Sequence, residues 1–234
     1  MPAMTSDDAR ADPLARVGTD VLLWGGVVGA VGFVVVFLVE GFVRSGYDPV
    51  RLQVSYLSLG EDGWVQIAAF LAVGIVVLGF ALGVRRVLRG GIGATAVPIA
   101  TGVAGAGLLI AGVFSTMPAF GFPPGTAPGF PSQIVATAYV HVLGAVCFFG
   151  GLVSAQLLMA RRMSADGARG AALASVAAAV LVLVFFGASS ADSSGAPFFP
   201  AIAGLLQRIS IIAGLGWVAA LALWLLGRPR SAVA

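Results

Sequence analysis

The sequence contains no lysine and no asparagine, a single histidine and a single cysteine, and only 10% of its 234 residues are charged. Without asparagine there is no acceptor for N-glycosylation, and one cysteine can form neither an internal disulfide nor a CxxC-type zinc or redox motif. In contrast, 59% of the residues are hydrophobic and the mean hydropathy is +1.02. Because a soluble domain carries roughly a quarter of charged residues, these values indicate an integral membrane protein.

Six apolar segments are long enough to cross a bilayer, for which an α-helix needs about 20 mostly apolar residues. The sequence therefore predicts an all-α fold, a bundle of six transmembrane helices. The predicted spans are Asp20–Val43, Trp64–Val84, Ile92–Phe114, Ile134–Ala160, Ala171–Ala188 and Gly204–Leu226. We assign residues 20–227 to one membrane domain, residues 1–19 to a disordered cytoplasmic tail and residues 228–234 to a cytoplasmic C-terminal tail. The first twenty residues are net acidic, which is not typical of a signal peptide.

The arginines are distributed unequally between the two sides of the predicted bundle. Ten of the thirteen precede the first span or follow the second, fourth and sixth, and only Arg44, Arg51 and Arg208 fall on the other side. The positive-inside rule then places both termini in the cytoplasm. The basic charge is therefore a topology signal, and we predict no nucleic-acid partner.

A polar stretch, YDPVRLQVSYLSLGEDGW at residues 47–64, separates the first two spans. Asp48 followed by Pro49 is typical of a helix N-cap and a first helical position. Apolar residues then recur at helical spacing on one face, while Arg51 and Ser55 share a second face. This pattern predicts a short amphipathic interfacial helix on the outer side of the membrane, after helix one.

Other polar groups collect at the same predicted level. Glu40 can pair with a residue four positions later, and the only histidine lies roughly 10 Å into the fourth helix. Ionisable residues inside membrane helices are candidates for function. The sequence thus predicts an outward-facing pocket whose ligand-binding residues are Glu40, Arg51, Ser55, His141, Gln207 and Arg208. These residues also have structural explanations. Arg208 can reach lipid head groups, Glu40 can form a neutralised pair, and His141 can bond a neighbouring carbonyl or hydroxyl. The interfacial helix that carries Arg51 and Ser55 can be only a lid that seals the bundle.

The sequence has few of the residues that ion-coupled transport, metal binding or triad catalysis would require. The inner half of the predicted bundle has no acidic residue and no histidine, which argues against a proton-coupled or ion-coupled transporter. A single histidine does not provide the three or four ligands of a zinc site, and we predict no metal and no cofactor. No GxSxG motif supports a Ser-His-acid triad.

The stretch YDPVRLQVSYLSLGEDGWVQIAAFLAVG, a helix ending in GVFSTMP, a histidine opening the fourth helix, and GLLQRISI together resemble a known family. This family comprises uncharacterised prokaryotic six-span membrane proteins and is catalogued as domain-of-unknown-function family 998. The resemblance covers about residues 21–226 and implies the topology. Members often carry an acidic residue where Met117 stands and another directly after the histidine, where Val142 stands. These departures weaken an enzymatic interpretation.

Three hypotheses follow for the function. The first is a non-enzymatic plasma-membrane protein whose pocket binds a small amphiphile or an anionic lipid head group, with Arg51 and Arg208 contacting the anion. The second is an enzyme that acts on outer-leaflet lipid with His141 as acid and base. The third is a partner subunit or assembly factor. Beyond the lipid bilayer itself, the sequence identifies no partner and no oligomeric state.

Overall fold

The fold is known from a computed structural model that describes residues 13–193 and 202–228. Six helices account for most of this part of the chain, each apolar and long enough to cross a membrane. Their bounds are α1 Pro13–Val43, α2 Gly63–Val87, α3 Ala96–Val113, α4 Ala136–Ala165, α5 Arg169–Ser193 and α6 Ala203–Leu226. The predicted six-span all-α fold is thus confirmed. Helix α1 begins inside the segment 1–19 predicted as a tail, and residues 1–12 and 229–234 lie outside the described part.

The six helices form a closed ring. Each helix packs against the one before it, and α6 packs against both α5 and α1. Neighbours run in opposite directions, as shown by the pairing of Trp217 with Ser175 and of Ser189 with Ala203 between α5 and α6. One end of the ring, where α1, α3 and α5 finish and α2, α4 and α6 begin, carries the polar residues discussed below. We call it the site end.

Helices α3 and α4 approach each other closely at two glycines. A Cβ atom on Gly144 would lie 2.7 Å from the carbonyl oxygen of Gly107, and one on Gly107 would lie 2.5 Å from the backbone nitrogen of Phe148. Only glycine permits this separation, as expected where helices associate in lipid through close backbone packing.

The predicted amphipathic interfacial helix between α1 and α2 is not formed. Asp48 Oδ1 does accept hydrogen bonds from the backbone nitrogens of Val50 and Arg51, at 2.9 and 3.3 Å, as the N-cap prediction requires. The turn ends by Gln53, which is extended, and a 3₁₀ helix follows at Val54–Ser58. All five residues of this 3₁₀ helix are buried. The segment is therefore folded into the end of the bundle instead of lying on its surface. We call residues 48–58 the cover.

Candidate functional site

Arg208 of α6 fastens the first half of the cover. Its Nη1 atom donates to the backbone carbonyls of Pro49 and Leu52 in the cover, at 2.6 and 2.9 Å, and to Gly204 at 3.0 Å. Its Nη2 atom donates to the Tyr47 hydroxyl. The side chain is buried, and only its Nε atom is without a partner among the described residues. Guanidinium groups suit such a role because their planar fork holds several acceptors at fixed angles.

Tyr47 extends the fastening made by Arg208. Its hydroxyl donates to the carbonyl oxygens of Leu52, at 2.9 Å, and of Gln53, at 3.0 Å. Burial raises the pKa of Tyr47 to about 12. The phenol therefore stays protonated at ordinary pH and remains a donor to the cover.

The start of α6 also holds the cover through its backbone and through Gln207. The backbone nitrogens of Gly204 and Leu205 donate to the carbonyls of Arg51 and Val50, at 3.1 and 2.9 Å. Gln207 Oε1 accepts from the backbone nitrogen of Val54 at 2.7 Å. The first nitrogens of a helix lack partners within the helix, and here two of them are satisfied by the cover.

Arg44 fastens the other end of the cover. Its Nη2 atom lies 2.8 Å from Glu40 Oε1, which confirms the predicted i, i+4 ion pair, and its Nη1 atom lies 3.6 Å from Asp62 Oδ2. Its Nη2 atom also donates to the carbonyls of Leu57 and Asp62, each at 2.9 Å. Glu40 is buried, and its second oxygen has no partner among the described residues. Arg44 and Arg208 thus act as two clamps on one segment.

A cavity lies beneath the cover, and its volume of about 30 Å³ is enough for about two water-sized groups. Three of its lining residues are polar: Ser55 from the cover, His141 from α4 and Gln207 from α6. The remaining lining residues are apolar and come from the cover, α1, α2, α3, α4 and α6: Val54, Phe33, Phe70, Leu108, Ala111, Ala145, Phe148, Phe149 and Ile211. The cavity therefore joins a small polar patch to an aromatic and aliphatic wall.

His141 is held by the end of α3. Its Nδ1 atom lies 3.1 Å from the carbonyl oxygen of Ala111 and 2.8 Å from that of Phe114. The last carbonyls of a helix lack partners within the helix, so the imidazole satisfies two of them. Its ring also meets Phe70 edge to face, with centroids 6.3 Å apart.

The structure brings together three of the six predicted ligand-binding residues. Ser55, His141 and Gln207 line the cavity, whereas Arg51, Arg208 and Glu40 are not among its lining residues. Arg51 is exposed at the surface of the cover. Arg208 and Glu40 belong to the clamps. Within the described residues no group of three or more His, Cys, Asp or Glu side chains could hold a metal ion.

Two buried glutamines were not among the predicted site residues. Gln66 of α2 and Gln156 of α4 are fully buried, and neither amide has a hydrogen-bond partner among the described residues. Gln66 lies one turn from Phe70, on the buried face of α2 that reaches the cavity wall. An amide within an apolar run is the sequence signal that could have identified it.

Comparison with known families gave one match. The model of a family described as "protein of unknown function (DUF998)" matches residues 27–224. The match covers all six helices in whole or in large part, together with the cover and the cavity. No curated protein and no solved structure matches the chain.

Proposed function

This chain belongs to the DUF998 family of proteins of unknown function, and we propose that its cavity binds the polar end of a small amphiphile. In this proposal the protein is a multi-span membrane protein that acts by binding and not by catalysis. The ligand's head would occupy the cavity against Ser55, His141 and Gln207. Its apolar part would extend out of the cavity, which has room for about two water-sized groups.

The observation that carries the proposal is that each polar lining residue keeps hydrogen-bonding capacity. The Ser55 hydroxyl and the Gln207 amide nitrogen have no hydrogen-bond partner in the part of the chain that the structure describes, and the described bonds of His141 use only Nδ1. Buried polar groups are normally paired with protein or with ordered water. Three such groups around one cavity therefore support a site for a polar guest.

Because Arg208 is one of the clamps, the head group that the site suits is neutral instead of the anionic one predicted from the sequence. An anionic head was expected from Arg51 and Arg208, but Arg208 donates four hydrogen bonds to the cover and its surroundings, and neither arginine lines the cavity. A phosphate carries four oxygens, whereas the cavity has room for about two water-sized groups. Size and charge both support a smaller and neutral head.

Catalysis by His141 is the alternative. With Nδ1 bonded to carbonyls, the other ring nitrogen can accept a proton, which is what a general base must do. In this case a bound amphiphile would be converted, so that product would accumulate during incubation with the purified protein.

The proposal can be tested by native mass spectrometry of protein in mild detergent, followed by extraction and identification of bound lipids. We expect a specific amphiphile that is lost in Ser55→Ala and kept in Ser58→Ala. Both serines are buried in the same 3₁₀ helix, but Ser58 bonds the carbonyl of Ser55 at 2.7 Å and does not line the cavity. Equal loss in both variants, or no bound amphiphile in the parent protein, would count against the site.

The orientation is also part of the proposal. The distribution of arginine supports a plasma-membrane protein with cytoplasmic termini, which places the cavity on the outer side. With Cys147 replaced by Ala, single cysteines at Ala127 and Ser164 mark the two ends, because both positions are exposed. We expect an impermeant maleimide to label the Ala127→Cys variant in intact cells and the Ser164→Cys variant only after lysis. The reverse pattern would contradict this orientation.

A further inference from the structure

We infer that the head group bound in this cavity is a neutral hydroxyl, so that the ligand class is a long-chain or polycyclic alcohol. The inference rests on the proposed function, since it specifies the chemistry of the same site. It follows from the directions of the hydrogen bonds that the three polar lining residues can still make.

His141 supplies an acceptor. Both groups near its Nδ1 atom are backbone carbonyls, those of Ala111 and Phe114, and a carbonyl oxygen can only accept. Nδ1 must therefore carry the proton. In the neutral imidazole the other nitrogen, Nε2, is then a bare acceptor. A ligand group that bonds His141 has to be a donor.

Gln207 supplies a donor. Its Oε1 atom already accepts from the backbone nitrogen of Val54 at 2.7 Å, and this contact fixes which end of the amide is oxygen. The NH₂ group remains, and it can only donate. Ser55 can do either, because a hydroxyl donates once and accepts twice. A ligand group that bonds Gln207 has to be an acceptor.

A hydroxyl group meets both requirements with one oxygen atom. It can donate to His141 Nε2 while it accepts from Gln207 and Ser55, and it fits a space of about two water-sized groups. A carboxylate has no proton to donate, an ammonium has no lone pair to accept, and a methyl ether only accepts. No charged side chain lines the cavity, so nothing there compensates the burial of an ionised head.

The inference can be tested with four probes that share one chain: 1-dodecanol, dodecyl methyl ether, dodecylamine and dodecanoate. Binding to the full chain in nonionic detergent would be measured at pH 8.5 by native mass spectrometry and by thermal stabilisation. We expect dodecanol to bind about tenfold more tightly than each of the others, the size of one well-made hydrogen bond. Tighter or equal binding of dodecanoate or dodecylamine would overturn the inference and leave the site itself standing.

Two variants assign the effect to the predicted groups. In His141→Asn the side-chain amide can still donate to the end of α3, and its oxygen lies closer to the backbone than Nε2, so no acceptor remains at the Nε2 position. In Gln207→Glu an oxygen remains for Val54, but the NH₂ donor is lost. We expect His141→Asn to lose the preference for dodecanol over the ether, and Gln207→Glu to weaken the binding of both. Ser58→Ala, outside the cavity, should bind all four probes as the parent does.

The failure of the inference can be told from failure of the proposed function. If none of the four probes binds and none stabilises the parent protein, the cavity holds only water and both ideas fail. If dodecanol binds but His141→Asn keeps its full preference over the ether, the site exists and the assignment of His141 as acceptor is wrong.

Discussion

Replacing Arg208 by methionine should loosen the cover while leaving the six spans in place. Methionine keeps a long apolar stem but donates nothing, so four hydrogen bonds disappear. The carbonyls of Leu52 and Gly204 keep other donors, from Tyr47 and from the α6 helix, whereas Pro49 has no other donor among the described residues. A fully buried carbonyl left without a donor costs about 1–3 kcal/mol, an upper bound for the half-buried Pro49, and a hydrogen bond from a charged donor contributes about 1.5–3 kcal/mol.

Part of this loss is offset, because burying a guanidinium is itself unfavourable. We therefore expect a net destabilisation of about 2–4 kcal/mol. The measurement is unfolding by SDS in mixed micelles, together with hydrogen exchange of the amides in the cover. Exchange should rise at Leu52 and Val54 first, since these amides belong to the segment that Arg208 holds.

Arg51→Met is the matched control. Arg51 lies in the segment that Arg208 holds, and its replacement removes the same charge, but its side chain is exposed. Such substitutions usually have little effect on stability. If Arg208→Met and Arg51→Met unfold alike, and exchange in the cover is unchanged, then the contacts of Arg208 do not hold this segment and the clamp interpretation is refuted. Arg208→Lys should fall between the two, because one ammonium cannot reproduce the guanidinium fork.

Two further predictions concern packing and pH. Gly107→Ala should destabilise the protein at the α3–α4 contact by about 1–3 kcal/mol or more, measured by the same unfolding assay. Gly102→Ala should not, because nothing lies within 4 Å of a Cβ at Gly102. Equal effects of the two substitutions would refute the close contact. Burial raises the pKa of Tyr56 to about 12, so its stabilising share is complete below about pH 10, the unfolded value, and is lost as pH rises towards 12. Tyr56→Phe should therefore lose less stability than the parent between pH 9 and pH 11, and identical losses would contradict this.

The spans could be predicted from the sequence because bilayer thickness imposes a length on each apolar run. The cover could not. Asp48 and Pro49 do start a turn as predicted, but local periodicity does not reveal that carbonyls at Pro49 and Leu52 are taken by a side chain about 160 positions later. Those contacts lie at the turn that directly precedes the buried 3₁₀ helix.

The contacts of the arginines also could not be predicted from the sequence. Charge placement counted Arg162 with the basic ends of the helices, whereas Arg162 is buried and donates to the carbonyls of Gly90 and Ile92, at 2.8 and 3.1 Å. A sequence shows that a charge is near a helix end but not which carbonyls surround it. His141 was identified as a candidate because it is alone in its span, whereas its bond to α3 depends on helix packing.

The closed ring has a consequence for biogenesis. The cover leaves the ribosome soon after the first span, but its partners Gln207 and Arg208 lie in the last one. Until α6 has been translated and inserted, the Val54 amide and the Pro49 carbonyl have no native partner. The cavity is therefore completed only when α6 is in place, and a chain truncated before α6 would lack the two lining residues Gln207 and Ile211.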